Sequence, residues 1–197
     1  MSYTNVNIPA FEVKVFETLP VYLQEKVNRL LKDCFHTTTR TPEEQAKHED
    51  RYCSNEDIIG HVVALHDDKV FGVITVLKRN ISFQGQEILL GGIGGVCTDK
   101  SKRRMGIATM LLKTAMEHLR KNNCDVAYLC ADIHNPGMVR LYGQVGFVIL
   151  NKPHTYLGKS GKRYTDTDGM IAPVSSQEVF MEIMRDKEPF DIGRGNW

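Results

Sequence analysis

The sequence predicts an α/β (α+β) fold, a mixed sheet with helices on both faces. Three observations predict it. Strand-like segments follow one another in the first half, as in a meander. One long amphipathic helix pattern lies near the middle of the chain. Short strand and helix patterns alternate after it, in the order β-α-β-α-β. That alternation calls for at least one parallel strand pair, and ligands bind where such strands end or splay.

The elements follow in chain order. Residues 11–16 (Phe-Glu-Val-Lys-Val-Phe) alternate like a strand. Residues 20–35 carry Val21, Leu23, Val27, Leu30, Leu31 and Phe35 at near-helical spacing. Thr41-Pro42-Glu43-Glu44 reads as an N-cap, a first-turn proline and first-turn acids. Segments 58–65 and 69–77 read as a hairpin turning at His66-Asp67-Asp68. A third strand spans about 87–98. From about 104 to 121, Ile107, Leu111, Ala115 and Leu119 recur every four residues, flanked by Ala108, Leu112 and Met116. Asn122-Asn123 ends that helix. Residues 125–131 read as a short apolar strand. Asn135-Pro136 opens a helix that Gly146 closes, and 147–150 reads as a strand. Residues 151–173 are polar and predict a loop excursion. Residues 178–184 read as a last strand before a tail ending at Trp197.

Length and charge narrow the function classes. The chain has 197 residues, 42% hydrophobic and 25% charged, which suits one folded domain over 1–197. A net charge of +1 supplies no long-range field, so neither nucleic acid nor a membrane surface is expected as a partner. No apolar run is long enough to span a bilayer. The start, Met1-Ser2-Tyr3-Thr4-Asn5, has no secretory pattern, so a cytoplasmic location is expected. The cysteines at 34, 53, 97, 124 and 130 are odd in number and form no Cys-x-x-Cys. They read as reduced, mostly buried thiols. The seven histidines are scattered in sequence, so no metal site is expected.

The sharpest local signal lies at 101–106. Ser101 is placed to cap the long helix, and Lys102, Arg103 and Arg104 follow it. Cations at a helix N-terminus each cost roughly 0.3–1 kcal/mol. Gly106 inside a helix costs about 1 kcal/mol more against alanine. A polyphosphate reverses the sign of both arguments. Free backbone N–H groups, the helix dipole and three cations then face an anion, and Gly106 lets the backbone approach it.

Arg103-Arg104-Met105-Gly106-Ile107-Ala108 resembles the Arg/Gln-x-x-Gly-x-Gly/Ala loop of the GCN5-related N-acetyltransferases. Residues 135–147 (Asn-Pro-Gly-Met-Val-Arg-Leu-Tyr-Gly-Gln-Val-Gly-Phe) are similar to that family's later motif. The likeness covers roughly 57–150, leaving 151–197 as a substrate-side segment. It implies a splayed central sheet of about 6–7 strands and an acetyl-CoA enzyme. Arg103, Arg104, Met105, Gly106, Ile107, Ala108 and Thr109 would hold the pyrophosphate. Val96, Cys97 and Thr98 would pair with the pantetheine arm as a strand edge does. Asn135 would lie beside that arm. Relatives often form homodimers.

Gly91, Gly92, Gly94 and Gly95 crowd one strand and predict a bulge that splays the sheet for acetyl group and amine. Amide formation needs a neutral amine, a stabilised oxyanion and a proton for the leaving thiolate. Tyr142 matches the family's acid, and a phenol near pKa 10 suits a thiolate leaving group. A backbone N–H near Val96 would serve the oxyanion. No base is evident: Cys97 has none beside it, and His134 is a lone histidine next to Asn135.

The tail (Pro-Phe-Asp-Ile-Gly-Arg-Gly-Asn-Trp, 189–197) resembles that of aminoglycoside 2'-N-acetyltransferases, as does Asp166-Thr167-Asp168-Gly169. The resemblance implies that Asp168 and the Trp197 carboxylate bind a cationic amine, the latter also accepting a proton. It implies an antibiotic-resistance role for such a chain. The sequence departs from the pattern at Gly94, where those enzymes carry a glutamate, and lacks an acid after Arg194-Gly195. The expected reaction is direct transfer from acetyl-CoA to a small primary amine, an aminoglycoside or other polyamine. Acetylation of a protein N-terminus or lysine is the alternative enzyme reading. A non-catalytic acyl-CoA sensor is the alternative from another class.

Overall fold

A computed structural model of the chain describes residues 11–35, 40–52 and 55–197. Readings that fall on the first ten residues, His36 and Cys53 lie outside them. The chain runs through β1 (Glu12–Phe16), α1 (Val21–Cys34), α2 (Pro42–Arg51), β2 (Ile58–His66), β3 (Lys69–Phe83) and β4 (Gln86–Thr98). It continues through α3 (Ile107–Lys121), β5 (Val126–Cys130), α4 (Pro136–Gly143) and β6 (Val148–Ile149). It ends with β7 (His154–Leu157), β8 (Arg163–Asp166), β9 (Gly169–Pro173), α5 (Gln177–Arg185) and β10 (Phe190–Arg194).

Seven strands form the main sheet in the order β1-β2-β3-β4-β5-β9-β6. β1 to β4 are antiparallel neighbours, β4 and β5 are parallel, and β5, β9 and β6 are antiparallel. The sheet is mixed, as its sequence pattern predicts. Side-chain alternation divides the core between the two faces. On one face Val62, Ala64, Ile74, Val76 and Ile93 meet the α3 stripe of Ile107, Leu111, Leu112, Ala115 and Leu119. On the other, Val63, Leu65 and Val73 meet Leu23, Val27 and Leu30 of α1. Each such fully buried aliphatic side chain is worth about 1.5–3 kcal/mol, so α3 is anchored chiefly by its stripe.

The α2 start is as the sequence reads it. Thr41 Oγ1 accepts the Glu44 N–H and Glu44 Oε2 accepts the Thr41 N–H, a reciprocal cap. The α3 start is not. Arg104 (φ 64°) and Gly106 (φ 78°) are both left-handed, so the helix begins at Ile107 rather than near 104. Ser101 does not cap it: its N–H and hydroxyl both donate to Asp99 Oδ1, at 2.7 and 2.6 Å.

Three further expectations are corrected, two of them beyond residue 150. The stretch 151–173 is not a loop. It holds β7 and β8, which join β10 in a second sheet of order β10-β7-β8, and it holds β9. β9 lies between β5 and β6, and Met170, Ile171 and Ala172 are buried on both its faces. Such a strand has no alternation to betray it. Residues 178–184 are helix, not strand. Ser176 Oγ accepts the Val179 N–H at 3.1 Å, and Val179, Phe180, Ile183 and Met184 recur at helical spacing on the second-sheet side of the core. Finally, Cys34 and Cys97 are not reduced thiols: they form a disulfide between the end of α1 and β4.

Candidate active site

β4 creates the site by leaving its neighbours. Val73 faces Cys97 and Thr75 faces Gly94, so one β3 residue opposes two on β4. Gly95, at φ 59°, supplies the left-handed residue of that bulge. On the other side, pairing with β5 covers only Leu90–Gly92 against Val126–Tyr128. Past Gly92 the strands splay, as the glycine pattern predicts. A cleft of about 740 Å³ opens there, within the range of small-molecule sites.

Ile93, Gly94, Gly95 and Val96 line one wall of the cleft, and Cys130, Ala131, Asp132 and Asp168 the other. α4 contributes Met138 and Tyr142, α1 contributes Leu31 and Lys32, and α2 contributes His48. Phe35, Arg40, Tyr52 and Trp197 complete the lining. Tyr142 is buried, with its ring edge-on to Phe147. Burial pushes its phenol up to about 12, so it holds its proton across the working range.

A second, smaller cavity of about 220 Å³ lies further along β4. Thr98, Lys102, Arg103, Arg104, Gly106, Ile107, Ala108, Thr109 and Leu141 line it. Val96 borders the first cavity and Thr98 the second, only two residues apart. The α3 N-terminus has no side-chain cap and no acid in its first turn. Its first N–H groups therefore remain available to an anion. Arginine in the left-handed region is strained, and here it stands in the loop that lines the small cavity.

Trp197 is buried, and its indole occupies the space that a side chain on Gly92 would need. Arg79 lies over the ring at 4.1 Å. It also pairs with Asp57 at 2.7 Å and donates to the carbonyls of Ile192 and Gly195, tying the tail to β3. The Trp197 backbone carbon lies 3.8 Å from where a Cβ on Gly94 would sit. The tail thus both plugs the core and borders the cleft.

The structure brings most sequence-named residues to the two cavities and sets some apart. Gly94, Val96, Tyr142, Asp168 and Trp197 meet at the large cleft. Thr98 and the loop from Arg103 to Thr109 gather at the small one, except Met105, which packs against the core. Cys97 offers only backbone, its sulfur being bound to Cys34. Asn135 is exposed and spends its side chain capping α4, accepting the Gly137 N–H at 3.0 Å. It and His134 lie outside both linings.

Sequence reasoning missed what α1 and α2 bring. His48 is the imidazole in the lining, its ring 4.5 Å from that of Tyr52. Burial, then Arg40 and Arg51, lowers its pKa, so it stays neutral at neutral pH. Nothing in the spacing between α2 and the motifs at 103–147 ties them together. Reasoning also missed a polar cluster of Cys130, His154 and Asp168. Its members stand on β5, on β7 and before β9.

Comparison with known proteins agrees with this fold. The profile of the acetyltransferase (GNAT) domain matches residues 23–150, well over half of the chain. The chain therefore belongs to the GNAT acetyltransferase family. Its fold is similar to that of the GNAT family N-acetyltransferase YhbS from Escherichia coli, solved in complex with CoA. That match has a TM-score of 0.61 at 15% identity, over 94% of this chain and 91% of the other. ElaA from Escherichia coli matches with a TM-score of 0.56 at 17% identity, over 83% and 99%. A probable N-acyltransferase from Enterococcus faecalis matches with 0.56 at 16%, over 73% of this chain. This chain spans only 34% of that longer protein. At such identities the likeness is one of fold. No curated protein matches the chain in sequence. Among the described residues no helix is long and apolar enough to cross a membrane.

Proposed function

We propose that the protein transfers an acetyl group from acetyl-CoA to a primary amine by direct attack. One observation supports this above the others: an uncapped helix N-terminus behind two left-handed residues, Arg104 and Gly106, in line along β4 with a cleft holding Tyr142. The turn would hold the diphosphate, with the cations of residues 102–104 around it. The β4 edge from Gly94 to Thr98 would receive the pantetheine amides. The thioester then reaches the splay point. The Val96 N–H would stabilise the oxyanion, and Tyr142 would hand its proton to the departing CoA sulfur.

His48 is the base this reading favours. It is neutral at working pH and borders the cleft, so it can take the proton an ammonium must lose. Asp168 would hold the amine's charge, with Trp197 beside it. An aminoglycoside or polyamine remains the first class to screen. A second class is favoured by the rim, where Lys32 and Arg40 share the cleft with Asp132 and Asp168. Opposed charges suit an acceptor with both an amine and a carboxylate, such as an amino acid or short peptide.

An acetyl-CoA turnover screen over aminoglycosides, polyamines, amino acids and short peptides tests this. Release of free CoA with one of these classes is the expected result. Calorimetric uptake of acetyl-CoA with no turnover on any amine would turn the assignment to an acyl-CoA sensor. No uptake at all would overturn it entirely.

A further inference from the structure

Three donor types meet where the sequence shows only scattered residues. Cys130 Sγ lies 3.6 Å from His154 Nε2 and 3.5 Å from Asp168 Oδ1, and the last two atoms are 4.0 Å apart. We propose that Cys130, His154 and Asp168 form a site for a thiophilic divalent cation of the zinc class, at the floor of the cleft.

The spacing fits the chemistry. With zinc bonds of about 2.3 Å to sulfur and about 2.0–2.2 Å to nitrogen and oxygen, tetrahedral donors stand about 3.4–3.6 Å apart. Two of the three edges already have that length. The third closes with a small turn of the Asp168 side chain, which is 49% exposed and free to make it.

The local hydrogen bonding points the same way. Besides His154 Nε2 and Asp168 Oδ1, the thiol meets Asn196 Oδ1 at 3.2 Å and the Tyr128 hydroxyl at 2.9 Å. One S–H proton cannot serve three acceptors. His154 is fully buried, and its Nδ1 has no hydrogen-bond partner among the described residues. Its Nε2 faces the thiol and the carboxylate. A cation there serves all three donors at once.

Charge closes as well. Binding exchanges the thiol proton for the metal and releases that proton to solvent. Thiolate, carboxylate and a divalent cation then sum to zero, so no net charge is left in a half-buried place. Cys130 and Asp168 border the cleft, so the fourth coordination position opens toward the acceptor side. One consequence rests on the proposed function. A bound metal withdraws Asp168 from the amine, so it inhibits competitively with the acceptor.

Cobalt titration of the folded, full chain without added thiols tests the site. The expected result is uptake of one equivalent, with intense tetrahedral visible bands and a thiolate charge-transfer band that zinc displaces. Cys130→Ser should abolish the charge-transfer band, and Asp168→Asn should weaken uptake at least about tenfold. Cys53→Ser and Cys124→Ser should leave the band intact. Circular dichroism checks folding, and the partly exposed Asp168 keeps the test open should Cys130→Ser misfold. Absence of the bands, or bands that survive both variants, overturns the site. Zinc should also raise the KM for the amine in the native chain. A positive cobalt spectrum without that rise would retain the metal site and reject Asp168 as the amine's anchor.

Discussion

The indole of Trp197 takes the place of a side chain on Gly92. A Cβ built on Gly92 would lie 2.1 Å from Trp197 Cε3 and 2.3 Å from Cζ3, well inside contact distance. Gly92 is also the last β4 residue paired with β5. The residue where the sheet parts is thus the one that seats the tail. Gly92→Ala should expel the ring and cost about 1–3 kcal/mol, as overpacking does. Trp197 is the chain's single tryptophan, so its fluorescence reports the change directly. An unaltered spectrum and melting temperature would refute this packing.

Arg104 separates stability from binding. Its left-handed backbone costs about 1–2 kcal/mol that glycine avoids, less the chain freedom glycine adds to the unfolded state. Arg104→Gly should therefore hold or raise stability while weakening CoA binding roughly tenfold or more, as loss of a charged contact does. Gly106→Ala should do the reverse to stability, because its φ of 78° then carries a side chain. Urea melts and calorimetry with CoA check both.

Tyr142→Phe should lower turnover at least about tenfold and leave acetyl-CoA affinity in place. The ring contact with Phe147 survives the change. The raised pKa, about 12, also means that deprotonation of Tyr142 does not produce an activity loss at moderately alkaline pH. Steady-state rates against pH for the two proteins settle the assignment.

The Cys34–Cys97 bridge spans 63 residues of sequence. Closing a loop of that size stabilises by about 4 kcal/mol in the chain-entropy account. Cys34→Ser, or reduction, should lower stability by about 2–4 kcal/mol in a urea melt. A midpoint indifferent to reductant would show that the sulfurs are not joined.

Acid should weaken the fold through two histidines. Burial lowers the pKa of His61 and of His154 in the folded state. The unfolded chain then binds protons first, near pH 6.5, so stability present above that value is lost as pH falls below it. Urea midpoints measured at pH 7.5 and at about pH 5.5 check the sign, and His61→Gln should flatten part of the slope.

Much of this was legible because the signals are local. The α3 stripe, the Asp67-Asp68 hairpin and the Thr41 cap each lie within a few residues, and all are found where periodicity places them. The misreadings share a cause too. β9 is buried on both faces and so does not alternate, and the short apolar run of α5 suits either period. The residue types at 101–106 read as an anion turn, but the two left-handed residues there move the helix start, and dihedrals are not written in residue type.

The sequence by itself determined the mixed sheet, the cationic turn and the family motifs, since each depends on neighbours within one or two turns of chain. Tertiary structure alone decided which distant groups meet. It joined Cys34 to Cys97, carried His48 on α2 to a cleft made by β4 and β5, and set Cys130, His154 and Asp168 within about 4 Å of one another. The physical reason is that burial and strand order, which summed packing sets across the whole chain, fix such distances, and no residue's local preference encodes them.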